Sequence, residues 1–141
     1  MTSPVHIMKP AWKHLSMLNN SPILYNNHLY PNMYKLIYCI AFPSRKDEIL
    51  ELPLCKLRDL RLGLEYFEVD EKKVLNELIK IIIQKCREDP IFLKVLKNTK
   101  DRKIINTDFY DSYFGFSRNF YGKCLMKVRN EKLYISHEEH T

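Results

Sequence analysis

The sequence predicts a mostly helical α+β fold, a single domain over residues 1–141 with an N-terminal β-hairpin and short strands, and three observations carry that prediction. Val74, Leu75, Leu78, Ile79, Ile82, Ile83 and Cys86 recur at helical spacing. The triplets "ILY" and "HLY" flank Asn26-Asn27, and asparagine tolerates the positive φ of a two-residue hairpin turn. The length of 141 residues suits one core and is short for two.

The elements follow in chain order. A hairpin spans 22–30, and Pro31 ends its second strand. Asn32 caps a helix from Met33 to Phe42 that Pro43 stops; being apolar on nearly every side, it should be buried. Arg45 to Glu51 forms a short turn or helix, and Pro53 opens another whose end Gly63 marks. Asp70 caps the clearest helix, which runs to about Arg87, and Asp89-Pro90 starts the next, "IFLKVLKN". "KIINTD" and "SYFGFS" read as strands or extended loops around a site. Ser117 caps a final helix through Lys132, with Phe120, Cys124, Leu125, Val128 and Leu133 as its apolar stripe.

Composition narrows the functional classes. No run of about eighteen uncharged apolar residues exists, so a membrane span is not expected, and "MTSPVHIMKPAWKH" has no apolar core of the signal-peptide kind. Cys39, Cys55, Cys86 and Cys124 lack the paired spacings of zinc or redox motifs and read as free thiols, most of them buried. A cytoplasmic protein without a cofactor or metal site is the expectation. Ile, Lys, Asn and Tyr are abundant while Gly occurs three times, a bias of AT-rich coding that suits a virus, in which case the compartment is the host cytoplasm. The net charge of +6 is uneven: residues 71–141 hold fifteen basic and ten acidic residues, against eight and seven before them. Lys94, Lys97, Lys100, Arg102 and Lys103 form the densest run, which reads either as a solvated helix end or as a surface for phosphate-bearing partners, nucleic acid included.

Several segments in order then resemble one family. "LYPNMYKLIYCIAF" occupies the place of a hairpin ending in Tyr-Pro followed by a helix start; "IQKCREDPIFLKVL" is similar to a helix, polar turn, Pro and leucine-rich segment; "YDSYFG" resembles Asp-x-x-Trp-Gly; and "NFYGKCLMKVR" resembles Asn-x-x-Gly-x-x-Leu-Met-x-x-Arg. Together, over roughly residues 12–133, these resemble the NADAR family, the YbiA-like N-glycosidases, leaving 134–141 as a tail. The resemblance implies a YbiA-like fold and cleavage of a ribose C–N bond in ADP-ribose conjugates or phosphorylated riboflavin-pathway intermediates. Such cleavage builds positive charge on the sugar, which a nearby carboxylate stabilises.

The resemblance also locates the departures. Tyr34 stands where the family has its glutamate, and Lys35 stands for its histidine. Tyr38 and Ala41 replace a Gln and a Lys, Phe114 replaces the tryptophan, Asn106 a glutamate, and "GFSR" is all that remains of a glycine-rich loop. No glutamate precedes Glu48, so no shift of register restores the carboxylate. A phenol with an ordinary pKa of about 10 is a poor base near neutrality. Asp111 is then the remaining catalytic or ribose-binding carboxylate, with Tyr34, Lys35, Tyr113, Phe114, Gly115, Arg118, Asn119, Lys123 and Arg129 as ligand-binding residues. Each has a structural alternative: Asp111 closing a turn, Asn119 orienting one, Gly122 permitting a close approach, Arg129 tying down a loop.

The expectation is therefore a NADAR-like domain recognising an ADP-ribose-type or ribose-phosphate N-glycoside with weakened or lost hydrolysis. The alternatives are an active N-glycosidase using Glu48, Glu51 or Asp108, and a basic module that binds nucleic acid or protein. The oligomeric state is open.

Overall fold

The structure, a computed structural model, describes residues 3–108, 114 and 118–133. Its order is β1 (Val5–His6), β2 (Ile23–Tyr25), β3 (His28–Tyr30), α1 (Met33–Ala41), α2 (Lys46–Glu51), α3 (Leu54–Asp59), α4 (Glu71–Glu88), α5 (Pro90–Asn98), β4 (Ile104–Ile105) and α6 (Phe120–Lys127). Short 3-10 turns lie at Lys13–Leu15, Pro43–Arg45 and Leu62–Leu64, and α6 continues into a π-helical stretch, Val128–Leu133. This is the mostly helical α+β architecture the sequence predicts. Among the described residues no helix is long and apolar enough to cross a membrane.

The hairpin forms as its turn requires. Asn26 and Asn27 take φ of 49° and 65°, and β2 pairs antiparallel with β3 through Ile23–Tyr30, Leu24–Leu29 and Tyr25–His28. Asn32 then caps α1, its Oδ1 accepting from the Lys35 amide at 2.8 Å. Eight of the nine residues of α1 are buried, so it runs through the core as its uniform apolarity demands. Helix α4 presents Val74, Leu78, Ile81, Ile82 and Cys86 inward and packs on α1, α5 and α6, which gathers one apolar core around it.

Several details differ from the sequence reading. The segment after α3 turns at Arg61, which takes φ of 51°, two residues before Gly63; no described glycine has positive φ. A parallel pair also closes the fold: β1 lies beside β4 with Val5 opposite Ile104, and the Val5 amide donates to the Lys103 carbonyl at 2.7 Å. Of the predicted extended segments, "KIINTD" contains β4, while "SYFGFS" apart from Phe114, and with it the Ser117 cap, lies outside the described residues. In its place Asn119 occupies the N-cap position of α6 with φ of 52° and makes no side-chain cap bond.

Asp89 joins three elements at the α4–α5 corner. Its Oδ1 accepts from the amides of Ile91 and Phe92, capping α5, while Oδ2 meets His14 Nε2 at 3.0 Å and Lys85 Nζ at 3.6 Å. Burial pushes this carboxyl up, but the Phe92 amide, the His14 hydrogen bond and the charges of His14 and Lys85 outweigh it and leave the pKa below the ordinary value. A depressed carboxylate stabilises the fold above its unfolded pKa of about 3.9, and the gain is lost as pH falls through the lower folded value. The stability difference between wild type and Asp89→Asn, measured by urea unfolding, is expected at pH 7, should begin to shrink as pH falls below about 4 and should be gone once pH lies below the depressed folded value. A difference constant with pH would contradict the linkage.

Candidate functional site

Helical spacing puts Tyr34 and Tyr38 on one side of α1, with Phe42 a turn further on. The Tyr34 and Tyr38 rings lie 4.6 Å apart and Tyr38 stacks on Phe42 at 6.1 Å. Phe114 meets Tyr38 edge-on at 5.5 Å, and Phe67 stacks on Phe114 at 6.0 Å while meeting Phe42 edge-on at 5.5 Å. Tyr34, Tyr38, Phe42 and Phe114 are all buried. A continuous chain of rings thus runs from the start of α1 to the loop before α4.

That loop is held in place by its own polar contacts. The Glu68 amide donates to the Ala41 carbonyl at 2.9 Å, closing the loop onto the end of α1. The Glu68 carboxylate accepts from the Ser44 hydroxyl and, at 2.9 Å, from the Ser44 amide, which lower its pKa. Arg45 bridges Glu48 at 2.6 Å and Glu65 at 3.3 Å.

Behind the ring chain opens a cleft of about 520 Å³, lined by Gly63, Leu64, Glu65, Tyr66, Phe67, Val69, Glu71 and Arg118. Tyr66 is 99% exposed, an aromatic ring with almost no protein packed on it. The cleft therefore offers a ring to stack on a base, a guanidinium suited to phosphate, and the Glu65 and Glu71 carboxylates to accept sugar hydroxyls. A second groove of about 600 Å³ lies between α4 and α6, lined by Leu75, Ile79, Phe120 and Lys123 among others, with Glu71 bordering both.

The structure brings together only some of the residues singled out from sequence. Tyr34 and Phe114 belong to the ring chain, and Arg118 lines the first cleft. Lys123 lines the second groove, its ammonium 5.0 Å from the Phe120 ring centroid. Lys35 is buried away from either, with Nζ donating to the carbonyls of Leu50 at 3.0 Å and Leu52 at 2.7 Å, where a cation also meets the C-terminal end of α2. Arg129 is buried too, tying the π-helical stretch to the α5–β4 turn through Thr99 Oγ1 at 3.0 Å and the Arg102 carbonyl at 2.7 Å. Burial lowers its pKa, with Asp101 opposing. Asn119 is a strut: Oδ1 accepts from the Asn106 amide at 2.8 Å and Nδ2 donates to the Ile104 carbonyl at 3.0 Å. Asp111, Tyr113 and Gly115 lie outside the described residues.

The substitute carboxylates are separate from the cleft lining. Asp108 is buried, with Arg58 Nη2 at 2.6 Å from Oδ1. Glu48 is exposed on α2 and paired with Arg45, and Glu51 is exposed at the end of the same helix. The carboxylates that do line the cleft, Glu65 and Glu71, and its ring Tyr66 escaped the sequence reading, because no motif marks them.

Thiol chemistry is disfavoured at the buried cysteines. All four are free; Cys39, Cys86 and Cys124 are buried, and burial pushes each thiol up to about 11, so little thiolate forms near neutrality. Among the described residues no three His, Cys, Asp or Glu side chains are grouped to hold a metal ion. Compared with protein-family models, with curated proteins and with solved structures, the chain matches none.

Proposed function

We propose that this chain is a NADAR-like domain that binds an ADP-ribose-type or ribose-phosphate N-glycoside and hydrolyses it slowly or not at all, in a reducing cytoplasm. The chain of rings from Tyr34 to Phe67 is the observation that carries the reading. At one end, the position that resembles the family's catalytic glutamate is a buried aromatic packed among aromatics. At the other end, the chain backs a cleft furnished with Tyr66 and Arg118. Chemistry is thereby closed off where the resemblance expects it, while a cleft of about 520 Å³ remains at the far end of the ring chain. Loss of a general base removes about 10²- to 10⁴-fold in rate, enough to turn an enzyme into a binder.

Titration of ADP-ribose followed by ligand-observed NMR tests the reading. Saturable binding is expected, weakened about tenfold by Tyr66→Ala, since one stacked base contributes about 1–3 kcal/mol, and weakened also by Arg118→Ala. Binding indifferent to both substitutions in folded protein would place the ligand elsewhere.

A further inference from the structure

The net charge of this protein is concentrated in two stretches that the fold joins. Residues 3–13 and 90–103 contain Lys9, Lys13, Lys94, Lys97, Lys100, Arg102 and Lys103 against one acid, Asp101. That is +6, the formal charge of the whole chain; the other sixteen basic residues are balanced by sixteen acidic ones. The stretches are far apart in sequence, yet β1 pairs with β4 and Arg102 Nε donates to the Ser3 carbonyl at 2.7 Å. The Arg102 guanidinium also lies 5.3 Å from the centre of the half-buried Trp12 ring, and the turn Lys13–Leu15 packs on α5. The six lysines are exposed, and none of them pairs with a carboxylate among the described residues.

The lysine spacing suits a linear polyanion. Lys94, Lys97, Lys100 and Lys103 recur every third residue, the first two on the outer face of α5 and the third at the turn where φ of 54° ends the helix. Helix α5 spends its apolar face, Phe92 and Leu96, on the core, so it keeps no broad apolar face to insert into a bilayer. We propose that this joined surface binds nucleic acid through its phosphate backbone, without reading sequence. Arg102, fixed by Trp12 and Ser3, sets the register between the two stretches, and the mobile ammonium groups of the lysines follow the phosphates. The proposal is independent of the nucleotide cleft: it rests on charge placement alone.

Fluorescence anisotropy with a 20-nucleotide single strand and with a duplex of the same length, at several salt concentrations, tests it. The full chain should bind both with an affinity that falls steeply with salt. Lys94→Glu/Lys97→Glu/Lys100→Glu should cut affinity more than about tenfold and reduce the logarithmic salt slope by about 3. The control Lys56→Glu/Lys73→Glu/Lys80→Glu, with the same change in net charge, should stay within about threefold of wild type if the surface, rather than total charge, does the binding. Far-UV circular dichroism confirms that both variants fold. Equal losses in the two variants, no binding by wild type at low salt, or tighter binding to phosphatidylserine vesicles than to nucleic acid would each overturn the proposal.

Discussion

Replacing Tyr34 with glutamate, the residue the family resemblance puts at this position, is expected to destabilise the domain by about 4 kcal/mol and to restore no hydrolysis. Tyr34 is 2% exposed, with its ring against Tyr38 and its amide donating to the Met17 carbonyl at 3.0 Å. Glutamate there loses the ring's packing and puts a carboxylate among aromatic rings. Such a site raises a carboxyl's pKa, so the group is held protonated or forces the core open. Tyr34→Phe keeps the ring and should cost less than about 1.5 kcal/mol. Urea unfolding of the three proteins reads the effect. A Tyr34→Glu protein as stable as wild type would mean that the position opens to solvent, and the aromatic plug would not exist.

The second large effect belongs to Gly122. A Cβ on this residue would fall 2.5 Å from the Ile104 carbonyl oxygen and 2.3 Å and 2.7 Å from the Asn119 amide atoms. The Ile104 carbonyl cannot retreat without disturbing β4 and its pairing with β1, and Asn119 cannot turn away without dropping its bonds to Asn106 and Ile104. Gly122→Ala is therefore expected to cost about 3 kcal/mol, lowering Tm by about 10 °C in calorimetry. Its φ is not positive, so the strain comes from the close approach of α6 to β4 rather than from backbone conformation. A Tm within about 2 °C of wild type would show that this corner yields more readily than its geometry implies.

How much of this was legible in the sequence follows the range of the forces involved. The hairpin, α1, α4 and α5 were readable because their signals are local: Asn26-Asn27, the caps Asn32, Asp70 and Asp89, and the apolar spacing of α4. The β1–β4 pair was not, because two-residue strands carry no pattern and their partners lie about a hundred residues apart. Nor was the cleft, since an exposed tyrosine in a polar loop looks like ordinary surface until Phe67 stacks on Phe114. Lys35 and Arg129 show the opposite limit. In sequence a cation within a site-like motif suggests an anion, whereas in the fold both guard backbone carbonyls.

Asn106 and Asn119 form a polar strut beside α6, the Asn106 amide donating to Asn119 Oδ1 at 2.8 Å. Asn106 Nδ2 donates to the Phe114 carbonyl at 3.3 Å, and that carbonyl also accepts from the Tyr121 amide at 3.1 Å. Asn106 and Tyr121 thereby hold the backbone that carries the buried ring of Phe114, which meets Tyr38 edge-on.

The most direct test of the account is a time course, by ligand-observed NMR, of wild-type protein with ADP-ribose, ADP-ribosylated guanosine and phosphorylated aminopyrimidine ribosides. Saturable, Tyr66- and Arg118-dependent binding with no new anomeric signals over hours is the expected result. New anomeric signals that rise in proportion to protein concentration would contradict it, because they would mean that the protein hydrolyses the N-glycoside.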